Sequence, residues 1–151
     1  MSEIPTSSLP PIPPDITDYL AKLASAHPQI ESIWLIGSRA NPTGRPPVDW
    51  DFLIFATPDV LASLRNDHSF RRTHIDLLVV TDGDFFECPW PHGDRPAFKS
   101  GYLRNYYPAD GGIVLGWQWK RISEHEARYT ASKSMFKDVE CRAFRVYERN
   151  A

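Results

Sequence analysis

Three acidic residues and a Gly-Ser pair carry the chemistry that this sequence could perform. Asp49 and Asp51 stand two positions apart in Val48-Asp49-Trp50-Asp51-Phe52-Leu53-Ile54, and Asp76 interrupts a second apolar run, Thr73-His74-Ile75-Asp76-Leu77-Leu78. Alternate side chains of a strand share a face, so Asp49 and Asp51 are expected to project together while Trp50, Phe52 and Ile54 pack on the other side. Neighbouring carboxylates repel, and a divalent cation removes that conflict. Mg²⁺, or Mn²⁺ in its place, suits the pair, because Mg²⁺ is commonly held by one or two carboxylates plus substrate phosphates. If the strand of Asp76 lies beside the first, three acids can organise in-line displacement at a phosphorus atom. Asp49, Asp51 and Asp76 are therefore the candidate metal ligands and catalytic residues.

Gly37-Ser38-Arg39 closes the apolar run Ile30 to Ile36 and supplies the candidate nucleotide-binding residues. Glycine lets a backbone approach a ligand closely, and amides and a hydroxyl around Ser38 can cradle phosphate oxygens. Arg39 or Arg45 would add charge-assisted hydrogen bonds. Taken singly, Gly-Ser reads as a turn and each aspartate as a cap or a surface acid. It is their combination and order that single them out.

Gly37-Ser38, an interval of about ten residues, Asp49-x-Asp51 and a later acid together resemble the pattern of the polymerase-β-like nucleotidyltransferase superfamily. The resemblance covers roughly Ile30 to Val80. It implies a mixed-sheet fold, Mg²⁺, and transfer of a nucleoside monophosphate from a triphosphate, ATP first among the candidates, to an acceptor hydroxyl. By position, Ser38 would contact the triphosphate, Asp49 and Asp51 would bind metal, and Asp76 would help activate the acceptor. Small members carry Arg-Gly after Gly-Ser-x-Ala and Ser before the first Asp; here those places hold Asn41-Pro42 and Val48. The size also resembles minimal members that modify a protein partner, including antitoxins that adenylylate a cognate toxin.

These residues need elements to position them. Ile16, Tyr19, Leu20 and Leu23 recur at helical spacing between Asp15 and His27, and Pro28 stops the pattern. Ile30 to Ile36, Val48 to Ala56 and Thr73 to Thr81 read as strands, with a short helix over Pro58 to Leu64. Pro89, Pro91 and Gly93 suggest an irregular loop over Cys88 to Arg95, and Gly112 to Ile122 is strand-like. Ser123-x-x-Glu126 matches a capping box and predicts a helix running to about Met135, with a last strand near Arg142 to Tyr147. The fold expected is α/β or α+β, a mixed β-sheet flanked by helices.

With 151 residues, 42% of them hydrophobic and 24% charged, the chain has the size of one domain. We expect a proline-rich arm over residues 1–14 and a single domain over 15–151. A formal charge of −2 offers no overall basic field for an extended nucleic acid. Cys88 and Cys141 fall outside any C-x-x-C spacing, which indicates reduced thiols, and Cys88-x-x-x-His92 lacks further ligands. Neither a signal peptide nor an apolar span is apparent, so a cytoplasmic location and no membrane partner are expected. Trp117, Trp119, Tyr106 and Tyr107 could stack on a base, although packing is the simpler use. His74, on the strand face of Asp76, could shuttle a proton or serve only as a hydrogen-bonded side chain. Arg71, Arg72 and Lys99 could meet phosphates but read as solvated loop residues.

The function expected is Mg²⁺-dependent nucleotidyl transfer, with a protein among the possible acceptors. A catalytically inactive nucleotide-binding module and a protein-interaction module are the alternatives.

Overall fold

The computed structural model describes residues 9–81, 85–90, 100–103, 116–134 and 137–149. The fold is a mixed α+β one. Helix α1 (Pro14–Ala26) opens on Pro14, whose fixed φ suits a first helical position, and buries Ile16, Tyr19, Leu20 and Leu23. Strand β1 (Ile30–Ile36) and strand β2 (Trp50–Ala56) pair antiparallel. Helix α2 (Pro58–Asn66) crosses back to strand β3 (Ile75–Thr81), which lies parallel to β2. Strands β4 (Phe85–Glu87), β5 (Ser100–Leu103), β6 (Gly116–Arg121), β7 (Glu126–Ser134) and β8 (Lys137–Glu148) follow. The described strands are ordered as in the sequence, and β8 returns to β1 to close a barrel. Among the described residues only the β2–β3 and β5–β6 pairs are parallel.

Alternation along the strands builds two cores. Trp50, Phe52 and Ile54 of β2 and Ile75, Leu77 and Val79 of β3 turn outward to α1 and α2. Leu53, Leu78, Val80, Ala127, Tyr129 and Cys141 turn inward and meet across the barrel. Because β2 and β3 are covered on both faces, they read as nearly continuous apolar runs. In β1 a bulge between Ile30 and Ser32 shifts the alternation, so that Ile30, Ile33 and Leu35 face the helices while Trp34 and Ile36 face inward.

Most of the expected elements fall where the sequence puts them, with β2 and β3 each starting two residues later than read, at Trp50 and Ile75. Asp49 therefore precedes its strand. The helix expected from Ser123 is a correction: this segment is a tight turn followed by β7. Ser123 Oγ does accept from the amides of His125 and Glu126, both at 3.2 Å, but the chain then turns back. The amides of Ile122 and Ser123 both donate to the Glu126 carbonyl, at 2.9 and 3.0 Å. A serine turn satisfies the same amides as a helix cap. What decides is the run that follows, where Ala127 and Tyr129 face the interior and Arg128 between them faces out. The last strand is also longer than read, Lys137–Glu148 rather than Arg142 to Tyr147.

Of the proline-rich arm, residues 9–13 are described, and Ile12 packs on the outer core. Cys88 to Trp90 lie outside the strands, where Trp90 Nε1 caps the Leu64 carbonyl of α2 at 2.7 Å. Residues 91–95 of the expected loop, and Lys99, Tyr106 and Tyr107, lie outside the described residues, as does the side chain of Trp117. Among the described residues no helix is long and apolar enough to cross a membrane.

Candidate functional site

Parallel pairing of β2 with β3 places Asp51 and Asp76 at the same register, one strand spacing apart and on the inward face. Both are half-buried, near the first residues of strands whose next inward residues are Leu53 and Leu78. Two in-register, half-exposed carboxylates fit a divalent cation of the Mg²⁺ type. Asp49 is held differently: its Oδ1 lies 3.1 Å from His74 Nδ1, and the next amide, Trp50, donates to the His74 carbonyl at 2.7 Å. Among the described residues, no three His, Cys, Asp or Glu side chains are gathered as ligands of one ion.

The turn after β1 borders this pair. Ile36 is the register partner of Asp51, so Gly37 follows directly beside the carboxylate. Gly37 has φ +76, and a Cβ there would fall 2.9 Å from Asp51 Cγ and nearer still to Oδ2. Glycine is required twice, by the left-handed backbone and by the Asp51 side chain occupying that space. Gly37 to Arg39 form one 3-10 turn, whose carbonyl at Gly37 accepts from the amides of Ala40 and Asn41 at 3.1 and 2.9 Å.

Asn41 ties the turn to β8, the strand that pairs with β1 on the side away from β2. Its Nδ2 donates to the carbonyls of Gly37 (3.2 Å) and Arg142 (2.9 Å), while its Oδ1 accepts from the Arg142 amide at 2.7 Å. The side chain thus pairs with β8 as another strand would. Arg142 in turn donates to both Glu126 oxygens, at 2.9 and 3.2 Å, and Arg128 adds a bond at 2.7 Å. Glu126 is 4% exposed, and the Arg142 hydrogen bonds hold its carboxyl below the usual range, with Arg128 adding to them against the opposite push of burial.

Arg39, expected at phosphates, clamps its own loop. It donates to the carbonyls of Asp49 (3.0 Å), Val48 (3.2 Å) and Pro47 (3.5 Å), and its guanidinium lies 4.0 Å over the Trp50 ring. Ser38 lines a pocket of about 240 Å³ with Arg39, Arg45 and Trp50, closed on one side by Pro10 and Pro11 of the arm. Trp50 belongs to the outer core, so the Gly37-Ser38 turn straddles the sheet edge. Gly37 touches the acids on the inner side, while Ser38 opens toward the outer one. A larger pocket of about 720 Å³ runs from His74 and Trp50 to Tyr19 and Asp15 on α1.

Tyr129 and Cys141 were not singled out by the sequence, and both approach the same place. They are register partners on β7 and β8, both buried. Burial pushes the Tyr129 phenol well above its usual range, Cys141 and Asp51 act in the same direction, and a hydrogen bond from the Gly37 amide opposes them. The phenol therefore braces the Gly37 backbone from inside the barrel. The available signal was the alternation of Ala127, Arg128 and Tyr129, which the capping-box reading of Ser123 obscured.

Compared with protein-family models, with curated proteins and with solved structures, the chain matches none.

Proposed function

We propose that the chain is a Mg²⁺-dependent nucleotidyltransferase of the polymerase-β-like type, acting on a nucleoside triphosphate, and that the open end of β2 and β3 is its reaction centre. One observation carries the reading: Asp51 and Asp76 are register partners, and Gly37 of the Gly-Ser turn lies directly against Asp51. Motif pieces separated by up to forty residues in sequence share one barrel end. Asp51 and Asp76 would hold the metal, which supplies charge neutralisation at the phosphates and orientation of the displacement. The Ser38 hydroxyl, on the outer side of the sheet edge, would meet a phosphate oxygen of a triphosphate that crosses that edge from the acids. Asp76 would orient the acceptor hydroxyl and take up its proton as the acceptor oxygen bonds to the α-phosphorus and pyrophosphate leaves, and Asp49, paired with His74, would join the ligand set after a side-chain rotation. Cytoplasmic location and a protein acceptor belong to the same proposal.

The position of Asp49 favours a second reading, a nucleotide-binding module without transfer, in which the Asp49–His74 pair is permanent. Thermal melting with and without MgCl₂ and ATP separates binding from its absence, since a ligand of the folded state raises Tm. Wild type should gain stability and Asp51→Asn and Asp76→Asn should not. Equal gains in all three would place the nucleotide elsewhere. Incubation with α-labelled ATP and cell lysate then separates the two readings: a labelled acceptor marks transfer, and binding without label marks the module.

A further inference from the structure

We propose that the barrel mouth opposite Asp51 and Asp76 is a binding site for a small, uncharged, planar heteroaromatic molecule. The pocket there has a volume of about 650 Å³, walled by Trp34, Phe55 and Trp119, with Gln29 and Thr57 exposed at its edge and Ser32 buried beneath. Small-molecule sites have this size and combine apolar walls with a few polar groups. The rings brace one another: Trp119 meets Trp34 at 5.3 Å and 90°, and Phe55 at 5.3 Å and 55°. Trp34 is 2% exposed and donates its indole N–H to Ser32 Oγ at 3.0 Å, which makes it a fixed floor. Phe55 and Trp119 are only half-buried and supply the surfaces a ligand meets. Rings already held by neighbours lose little freedom when a flat ligand stacks on them.

Charge selects among flat ligands. Two cations and two anions line the mouth, and the carboxylates are taken up: Glu148 pairs with Arg145 and lies 3.6 Å from Arg121, and Arg149 and Glu31 complete the lining. The guanidiniums are also engaged, Arg121 Nε with the Ser123 carbonyl at 3.1 Å, Arg149 with those of Ile30 and Ala24 at 3.0 and 2.6 Å. An ionic ligand finds no surplus counter-charge there. The exposed Gln29 amide and Thr57 hydroxyl instead offer donors and acceptors to the edge of a neutral ring. A docked protein would need a surface several times larger than this mouth. Phe55 lies four residues along β2 from Asp51, about 13 Å at strand rise, so this site does not rest on the nucleotidyltransferase reading.

Benzimidazole, neutral at pH 7.5, is the probe, followed by equilibrium dialysis and by quenching of tryptophan fluorescence. Saturable one-to-one binding is expected, weakened roughly tenfold by Phe55→Ala and measurably by Trp119→Phe, and unchanged by Asp51→Asn. Naphthalene-2-sulfonate and N-methylquinolinium provide anionic and cationic arms and should bind more weakly. Melting curves verify that each variant is folded, and Trp119→Phe keeps a ring in place if Phe55→Ala unfolds. Absence of saturable benzimidazole binding, or binding that both ring variants leave intact, overturns the site. Tighter binding of either ion overturns the ligand class.

Discussion

At one end of the barrel interior Asp51 and Asp76 stand in register beside Gly37, and at the other Trp34, Phe55 and Trp119 fill the same inward face with rings. Strands β1 and β2 run to both ends, with β3 adding Asp76 to one and β6 adding Trp119 to the other. Burying rings removes apolar surface from water and stabilises the fold wherever it occurs. Setting two carboxylates side by side does not, and they stay half-exposed. The comparison separates an end that maintains the barrel from an end that the barrel must maintain. Support for the acid end comes from outside it, through Asn41, Arg142, Glu126 and Tyr129.

The largest effect should come from the aromatic end. Trp34→Ala empties a fully buried site and should cost about 3–5 kcal/mol in urea denaturation. A cost below about 1 kcal/mol would mean that the rings are not the stabilising end. Gly37→Ala should follow, at about 2–3 kcal/mol, because it adds a left-handed backbone penalty to a clash with Asp51. If Asp51→Gly in the same background restores most of that loss, the clash is the main cause; if it restores none, the backbone is.

Acidification should weaken the support of the acid end. Glu126 titrates below the ordinary glutamate range in the folded chain, so its contribution is complete above that range. As pH falls toward the lower folded value, the unfolded chain takes up the proton first and the contribution is lost. Glu126→Gln should cost about 1–3 kcal/mol at neutral pH and flatten the stability curve between those two values. An unchanged slope in denaturation midpoints across that window would remove Glu126 from the support. Tyr129→Phe is the smallest change, about 1 kcal/mol, since it removes the hydroxyl's hydrogen bonds with the Gly37 amide and Cys141 and leaves the ring. Its sharper readout is amide hydrogen exchange, which should accelerate at Gly37 and not at Trp34.

Much of the first half was legible because local pattern and tertiary setting agree there. Helical spacing from Ile16 to Leu23 and the apolar runs before Gly37 and around Asp51 admitted one reading each, and α1, β1, β2 and β3 follow them. The second half was less so. Ser123 caps amides in a turn as readily as in a helix, and nothing local to it reveals that β8 waits as a pairing partner. The roles of the site residues were similarly divided. Gly37 was found, but the reason for it is Asp51 rather than the approach of a ligand alone, and the hydrogen bonds of Arg39 go to its own loop.

By itself the sequence determined the alternation in β2 and β3, the bounds of α1 and the start of α2 to within a residue, and that two acids flank Trp50 while a third lies on a later strand. Those are properties of neighbours along the chain, set by side-chain direction and backbone preference. Only the tertiary structure decided that Asp76 pairs with Asp51, that Asp49 turns to His74, and that Tyr129 reaches Gly37. Register and barrel closure depend on contacts between residues far apart in the chain, such as Asn41 with Arg142, which no local pattern encodes.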